Sequence, residues 1–199
     1  MKIKNLKIEL SKVKRFTNIS YKLEQYMTPA ELAAHAIFCI HSEYDDIEGK
    51  IVMDLCCGTG ILAIGCSFFG PKYLMAVDVD KEALDVCKEN LINFEVECDL
   101  IRSDFNKFSM FSDMVDTVIM NPPFGTKIKH QDVKALDKAL SIAKVVYSMH
   151  KKSTRDYFLK KYPSSKVVAQ MKYDLPRTYD FHKSKNKVIE VDLIRFTRT

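Results

Sequence analysis

The sequence predicts a doubly wound α/β domain built on a mostly parallel sheet, and three stretches carry that prediction. Ile51 to Leu55, a glycine turn, an apolar helix and Tyr73 to Val77 form a strand–turn–helix–strand unit whose second strand runs into Asp78-Val79-Asp80. Val115 to Met120 is a β-branched apolar run that reads as a buried strand and leads directly into Asn121-Pro122-Pro123-Phe124. Val188 to Phe196 alternates as a final strand, antiparallel to a predecessor over Lys166 to Met171.

Composition sets the bounds. With 199 residues, 47% of them hydrophobic, the chain supports one domain with a single core. Charged residues make up 29% and the formal net charge is +5, which permits an anionic partner without demanding one. Cys39, Cys56, Cys57, Cys66, Cys87 and Cys98 form no C-x-x-C pair, so no metal site is expected. Their apolar surroundings suit buried free thiols in a reducing, intracellular compartment, cytoplasmic or nuclear. The opening Met1-Lys2-Ile3-Lys4 lacks the apolar core of a signal peptide, and no stretch is long enough to span a membrane.

In order along the chain, Ile3, Leu6, Leu10 and Val13 share one helical face, with lysines opposite, and predict an N-terminal helical extension over residues 1–22 ahead of a core over 23–199. Thr28, Pro29 and Glu31 read as an N-cap, a first-turn proline and a capping-box acid for a helix reaching about His41. Gln25-Tyr26 just upstream is not needed for capping, which favours a place in a site. Between the first two strands, Cys56-Cys57-Gly58-Thr59-Gly60 is a tight turn and Ile61 to Phe69 a helix ended by Gly70-Pro71. The glycines let backbone approach a ligand, and an acid after the second strand can accept both hydroxyls of a ribose. The G-x-G lacks the wider dinucleotide spacing and no G-K-[ST] is present, which leaves a nucleoside as the best ligand class. Asp80 can cap the next helix, Lys81 to Asn90, leaving Asp78 for the ribose.

Val96 to Ile101 reads as a third strand, with Asp104 just past its end, either a solvated acid or an acceptor for an adenine amino group. Two prolines hold Asn121 on a stiff extended loop at the C-terminal end of its strand, where ligands of such sheets bind. That loop offers the Asn121 side-chain carbonyl, the Pro122 carbonyl and the face of Phe124, a set suited to a planar amine. Lys127-Ile128-Lys129-His130 is a basic loop; Leu136, Leu140, Ala143 and Tyr147 mark a helix; Ser153 and Asp156 cap another, ending before Pro163. The connection over Tyr179, Phe181, His182, Lys183, Lys185 and Lys187 mixes rings and cations, as single-stranded nucleic-acid contacts do and as a solvated hairpin also can.

The Asp54–Gly60 turn, Asp78 and Asn121-Pro-Pro-Phe124 together resemble class I S-adenosylmethionine-dependent methyltransferases that act on amino groups. The finer resemblance is to the methyltransferase-like protein 5 family, N6-adenine methyltransferases of small-subunit ribosomal RNA. It runs through Leu23-Glu24-Gln25-Tyr26, Tyr44-Asp45-Asp46-Ile47-Glu48, Val118 to Lys127, His150 to Arg155, Tyr173-Asp174-Leu175-Pro176 and Ile189 to Phe196. One departure is Cys56, where the family has a glycine.

The resemblance implies a seven-stranded, Rossmann-like sheet with its last strand antiparallel. It implies that Gln25, Thr28, Asp54, Cys56, Gly58, Thr59, Gly60, Asp78, Asp104 and Asn121 hold S-adenosylmethionine. Asn121, Pro122, Pro123 and Phe124 would hold the target base, with RNA contacts from Lys127, Lys129 and the 179–187 connection. A small zinc-containing activator subunit is implied as a heterodimeric partner at a sheet edge, and the Val96–Ile101 strand is such an edge. Glutamine or guanine-N2 methylation, or a non-catalytic RNA-binding role in ribosome assembly, are the alternatives.

Overall fold

The computed structural model describes residues 1–199 except 111–113, 126–128, 176–186 and 199, and gives the backbone alone for 173–175 and 187–188. Its seven strands are β1 (Ile51–Leu55), β2 (Tyr73–Asp78), β3 (Asp99–Arg102), β4 (Val115–Met120), β5 (Ala143–Lys151), β6 (Ser165–Leu175) and β7 (Lys187–Thr197). They lie in the order β3-β2-β1-β4-β5-β7-β6. The first five run parallel, and β7 is antiparallel to both β5 and β6. The sheet order reverses between β1 and β4, so the loops after these strands open into one crevice.

Helices cover both faces. These are α1 (Ile3–Leu10), α2 (Ala30–Cys39), α3 (Ile61–Ser67), α4 (Lys81–Asn93), α5 (Gln131–Ile142) and α6 (Arg155–Lys161). Successive strand residues point to opposite sides. Val52, Leu74, Ala76 and Ile119 join α1, α2, α3 and α4 in one apolar cluster, while Met53, Met75, Val118 and Met120 join α5 and Phe158 in the other. Burial on both faces explains why β1 and β4 read as continuous apolar runs.

The N-terminal segment is part of this core. Leu6 and Leu10 are fully buried, and Val13, just past the end of α1, is buried too. The buried Asn90 side chain accepts from Lys14 N at 2.8 Å and donates to Lys14 O at 3.1 Å and Thr59 O at 2.9 Å. One amide thus ties the N-terminal segment, α4 and the glycine turn together.

Four local expectations are corrected. Ala143 and Tyr147 lie in β5, not in a helix; α5 ends at Ile142, where Lys144-Val145-Val146 turns the pattern β-branched. Thr28 does not cap α2: Pro29 holds the N-cap position without a side-chain bond, and Glu31 pairs with Lys7 at 3.0 Å. The helix passes at Ile40 into a π-turn ending at Tyr44. Ser153 sits in a 3₁₀ turn and Asp156 inside α6, whose N-cap Thr154 makes no side-chain capping bond, its hydroxyl donating back to Lys151 O at 2.9 Å. The third strand starts at Asp99, since Val96 N still bonds back to Leu91 O at 2.9 Å.

Candidate active site

A cavity of about 270 Å³ opens at the C-terminal ends of β1, β2 and β4. Its floor is the β1–α3 turn. Cys56, Gly58 and Gly60 all take the left-handed conformation, at φ 62°, 54° and 83°. At Gly60 a Cβ would lie 2.5 Å from Cys87 Sγ, so glycine is demanded there twice, by φ and by space. Phe16 closes over Gly58, its ring edge 3.0 Å from where a Cβ would sit. The turn is latched to β2 by Cys57 N donating to Val77 O at 3.1 Å.

Asp78 ends β2 beside this turn. Its Oδ2 accepts from Gly58 N at 2.8 Å and its Oδ1 from Asp80 N at 3.0 Å. Burial raises its pKa, opposed by those backbone donors. Each oxygen keeps acceptor capacity for a ligand hydroxyl. Asp80 caps α4 through Glu82 N at 3.1 Å and also accepts from Gln25 Nε2 at 2.6 Å. Gln25 Oε1 in turn accepts from Ser20 N at 2.7 Å, so the segment before α2 is strapped along the cavity wall. Asp104 lines the opposite wall, its Oδ1 accepting from Asn106 N and Nδ2, both at 2.9 Å.

Asn121 stands at the third strand end. Its Nδ2 donates to Thr28 Oγ1 at 2.9 Å, and its Oδ1 is buried with no partner among the described residues. Pro123 lines the cavity with it, whereas the Pro122 ring is buried beneath. Phe124 lies 5.3 Å from the Tyr26 ring, and Lys151 Nζ sits 5.3 Å from the Phe124 centroid.

The structure therefore brings Gln25, Thr28, Cys56, Gly58, Thr59, Asp78, Asp104, Asn121 and Pro123 to the lining of one cavity. Gly60 shapes the turn from behind. Asp54 is not on the wall: it is buried beneath the turn, where Oδ2 accepts from Ala63 N at 3.0 Å and anchors the start of α3. Its Oδ1 has no partner among the described residues. Burial, reinforced by Asp78 and opposed by the Ala63 N–H, raises its pKa to about 7. Burial, with the charges of Asp78, Asp54 and Asp104, also holds the Cys56 thiol well above the usual range, which disfavours a thiolate nucleophile.

Lys129 is exposed ahead of α5. Lys127, Tyr179, Phe181, His182, Lys183 and Lys185 lie outside the described residues, as does the side chain of Lys187. Sequence reasoning missed Phe16, Gln131 and Lys151. Phe16 follows an ordinary amphipathic stretch and carries no local signal. Lys151 ends β5, the strand mistaken in part for helix. Among the described residues, His41, Asp45 and Glu48 bring one potential ligand atom each within 4.8 Å of one another, with both acids exposed and none of the three lining the cavity.

The family model described as the methyltransferase small domain matches residues 37–147. The chain is 42% identical to the rRNA N(6)-adenosine-methyltransferase METTL5 of Danio rerio, covering all of both chains. It is 39% identical to the Drosophila melanogaster protein of that name, over 98% of this chain and 96% of the relative. A crystal structure described as a candidate RNA methyltransferase from Pyrococcus horikoshii superposes with a TM-score of 0.88 at 40% identity, covering 100% of this chain and 98% of that one. With relatives matched end to end and the fold shared throughout, this chain belongs to the METTL5 family of rRNA N6-adenosine-methyltransferases.

Proposed function

We propose that this chain methylates the N6 amino group of an adenosine in small-subunit ribosomal RNA, with S-adenosylmethionine as methyl donor. The observation that carries this reading is Asn121 Oδ1: a buried acceptor without a partner among the described residues, on a proline-stiffened loop at the cavity wall. A target amine brings the donors that such an acceptor needs.

The cavity fits the cofactor in chemistry. Cys56, Gly58 and Thr59 of the turn line the cavity, Asp78 offers acceptors to ribose hydroxyls, and Asp104 suits an adenine amino group. Gln25, Thr28, the 56–60 turn, Asp78 and Asp104 would hold it. When bound, S-adenosylmethionine supplies an electrophilic methyl group on a sulfonium centre. The acidic surroundings of the turn favour that cation.

The chain's own residues then act on the amine. Asn121 Oδ1 and the Pro122 carbonyl accept its two N–H groups, which favours a pyramidal nitrogen with an available lone pair and the positive charge that develops there. Phe124 provides a stacking face, and the rigid loop fixes the line of attack. The base must leave its stack to reach the loop. Lys127, Lys129 and the 179–187 connection would meet RNA phosphates.

The same reading includes a zinc-containing activator subunit. Support comes from β3, a four-residue edge strand with no strand on its outer side among the described residues. Beside it runs a groove of about 530 Å³ lined by Phe68, Tyr73, Phe94, Val96 and Cys98. A strand added here would pair the free edge and cover those side chains. No helix among the described residues is long and apolar enough to cross a membrane, and an intracellular, cytoplasmic or nuclear place of action goes with a ribosomal substrate.

The test is transfer of labelled methyl from S-adenosylmethionine to small-subunit rRNA, with the activator supplied, followed by mass spectrometry of the nucleosides. N6-methyladenosine supports the reading. Label on guanine N2, on a release-factor peptide, or nowhere in a folded, cofactor-binding protein overturns it.

A further inference from the structure

We propose that Lys151 binds a phosphate beside the target adenosine, leaving the Phe124 ring when the nucleotide arrives. The inference rests on the reading of Phe124 as the stacking face for the target base. Lys151 is the last residue of β5, one strand over from β4 and its Asn121 loop. It is half-buried, and its Nζ sits 5.3 Å from the Phe124 ring centroid. It does not line the cofactor cavity. Strand alternation puts it on the side of Tyr147 and Met149, whose apolar cluster Phe124 packs against.

The base of this side chain is fixed and its tip is not. Lys151 lies in register with Val191 on β7, and its carbonyl accepts from Thr154 Oγ1 at 2.9 Å. The preceding His150 is buried, its ring centroid 3.7 Å from that of Phe158. From that anchor a flexible four-carbon stem carries the ammonium. Nearby lysines are already matched: Lys152 and Lys172 both pair with Glu190, at 3.0 Å and 3.2 Å. Among the described residues Lys151 has no carboxylate partner, and its contact with the ring is a weak attraction at a solvent-accessible site. Charge gives the reason for an anion to arrive. The proposed methyl donor is a sulfonium and the target amine gains positive charge, so a bare ammonium beside the Asn121 loop works against the reaction. A phosphate supplied by the RNA cancels that charge and holds the nucleotide where its base stacks. The target thus brings its own counter-ion.

The test measures binding to a single-stranded rRNA fragment that holds the target adenosine, across a range of salt and with the activator supplied. Lys151→Met keeps the stem without the charge, and Lys151→Arg keeps the charge. Lys151→Met should weaken binding about threefold at low salt and reduce the slope of log affinity against log salt by about 0.7, the share of one phosphate contact on a single strand. Lys151→Arg should keep the parent slope, and S-adenosylmethionine affinity should be unchanged in both. Lys151→Gln serves as a second uncharged variant if the methionine protein does not fold. A second arm replaces the phosphates on either side of the target adenosine, one at a time, by neutral methylphosphonates. One of the two should cost the parent about as much affinity as Lys151→Met does, and should cost Lys151→Met nothing further. A parent slope in Lys151→Met, an arginine variant as poor as methionine, methylphosphonate penalties equal in parent and variant, or a loss confined to cofactor affinity overturns the phosphate contact. Phe124→Leu, assayed for methyl transfer at saturating RNA, tests the other reading by itself: a parent-like rate removes Phe124 from the base site whatever Lys151 does.

Discussion

The turn beneath the cavity contains a non-glycine residue where its backbone favours glycine, and this gives a prediction whose sign depends on conformation alone. Cys56 holds φ 62°. A residue with a Cβ in the left-handed region costs about 1–2 kcal/mol. Glycine escapes that cost but loses about 0.5–1 kcal/mol more chain entropy on folding than alanine does. Cys56→Ala keeps the strain and Cys56→Gly removes it, so the glycine variant should be the more stable by about 0.5–1 kcal/mol. At an ordinary negative φ the order reverses, with glycine the less stable by about the same amount. Both variants lose the sulfur, so its packing cancels in the comparison. In a domain of this size that difference is about 1–4 °C in melting temperature. Thermal and urea unfolding of the two variants should rank Gly above Ala with equal urea m-values. Alanine above glycine would refute the left-handed assignment of this position.

The other predictions concern charge in the same place. The folded-state pKa of Asp54, about 7, lies above its ordinary 3.8, so the native state binds this proton the more tightly. Its contribution is present below about pH 4 and is lost as pH rises to about 7, by at most about 4 kcal/mol. Asp54→Asn removes that dependence, so its stability relative to the parent should improve between pH 5 and pH 8; an unchanged gap in urea melts refutes it. Asp78→Ala removes up to two charge-assisted bonds to the cofactor, each worth about 1.5–3 kcal/mol, and should weaken S-adenosylmethionine binding at least about tenfold by calorimetry. Unchanged affinity in a folded protein would remove Asp78 from the site. Asn121→Ala should lower the methyl-transfer rate about 10²–10³-fold with cofactor affinity retained, as for one preorganised acceptor.

What the sequence made legible follows from how local each signal is. β1 shows at its observed bounds and β4 is clear because both faces are buried and the residues are β-branched. Asp78 and Asn121 show because a strand end, a turn and a polar residue are adjacent in the chain. Asp80 shows as a cap for the same reason. β5 was hidden in part because Leu136, Leu140, Ala143 and Tyr147 keep helical spacing across a boundary that only pairing with β4 and β7 enforces. Thr28 carried the local signature of a cap, and a long-range hydrogen bond took its hydroxyl instead. Asp54 sits in a motif that usually marks the cofactor, yet strand alternation turns it toward α3, below the wall.

The N-terminal segment presses the same point further. Periodicity separates residues 1–22 as an extension, but Phe16 lies over Gly58, Lys14 is clasped by Asn90, and Ser20 is held by Gln25. Asn90 also holds Thr59 from within the turn, and Gln25 reaches Asp80 just past β2. The segment is therefore continuous with the wall of the cavity, and its α1 anchors that wall through Leu6 and Leu10 in the core. A strand end cannot by itself enclose a ligand, because the sheet leaves the crevice open toward solvent. Here the chain ahead of the sheet supplies the missing side: a ring over the glycine turn, an amide latched to the α4 cap, and a hydroxyl that accepts from Asn121. Removing that segment would cost apolar core and cavity wall together, and so folding and cofactor binding would fail as one.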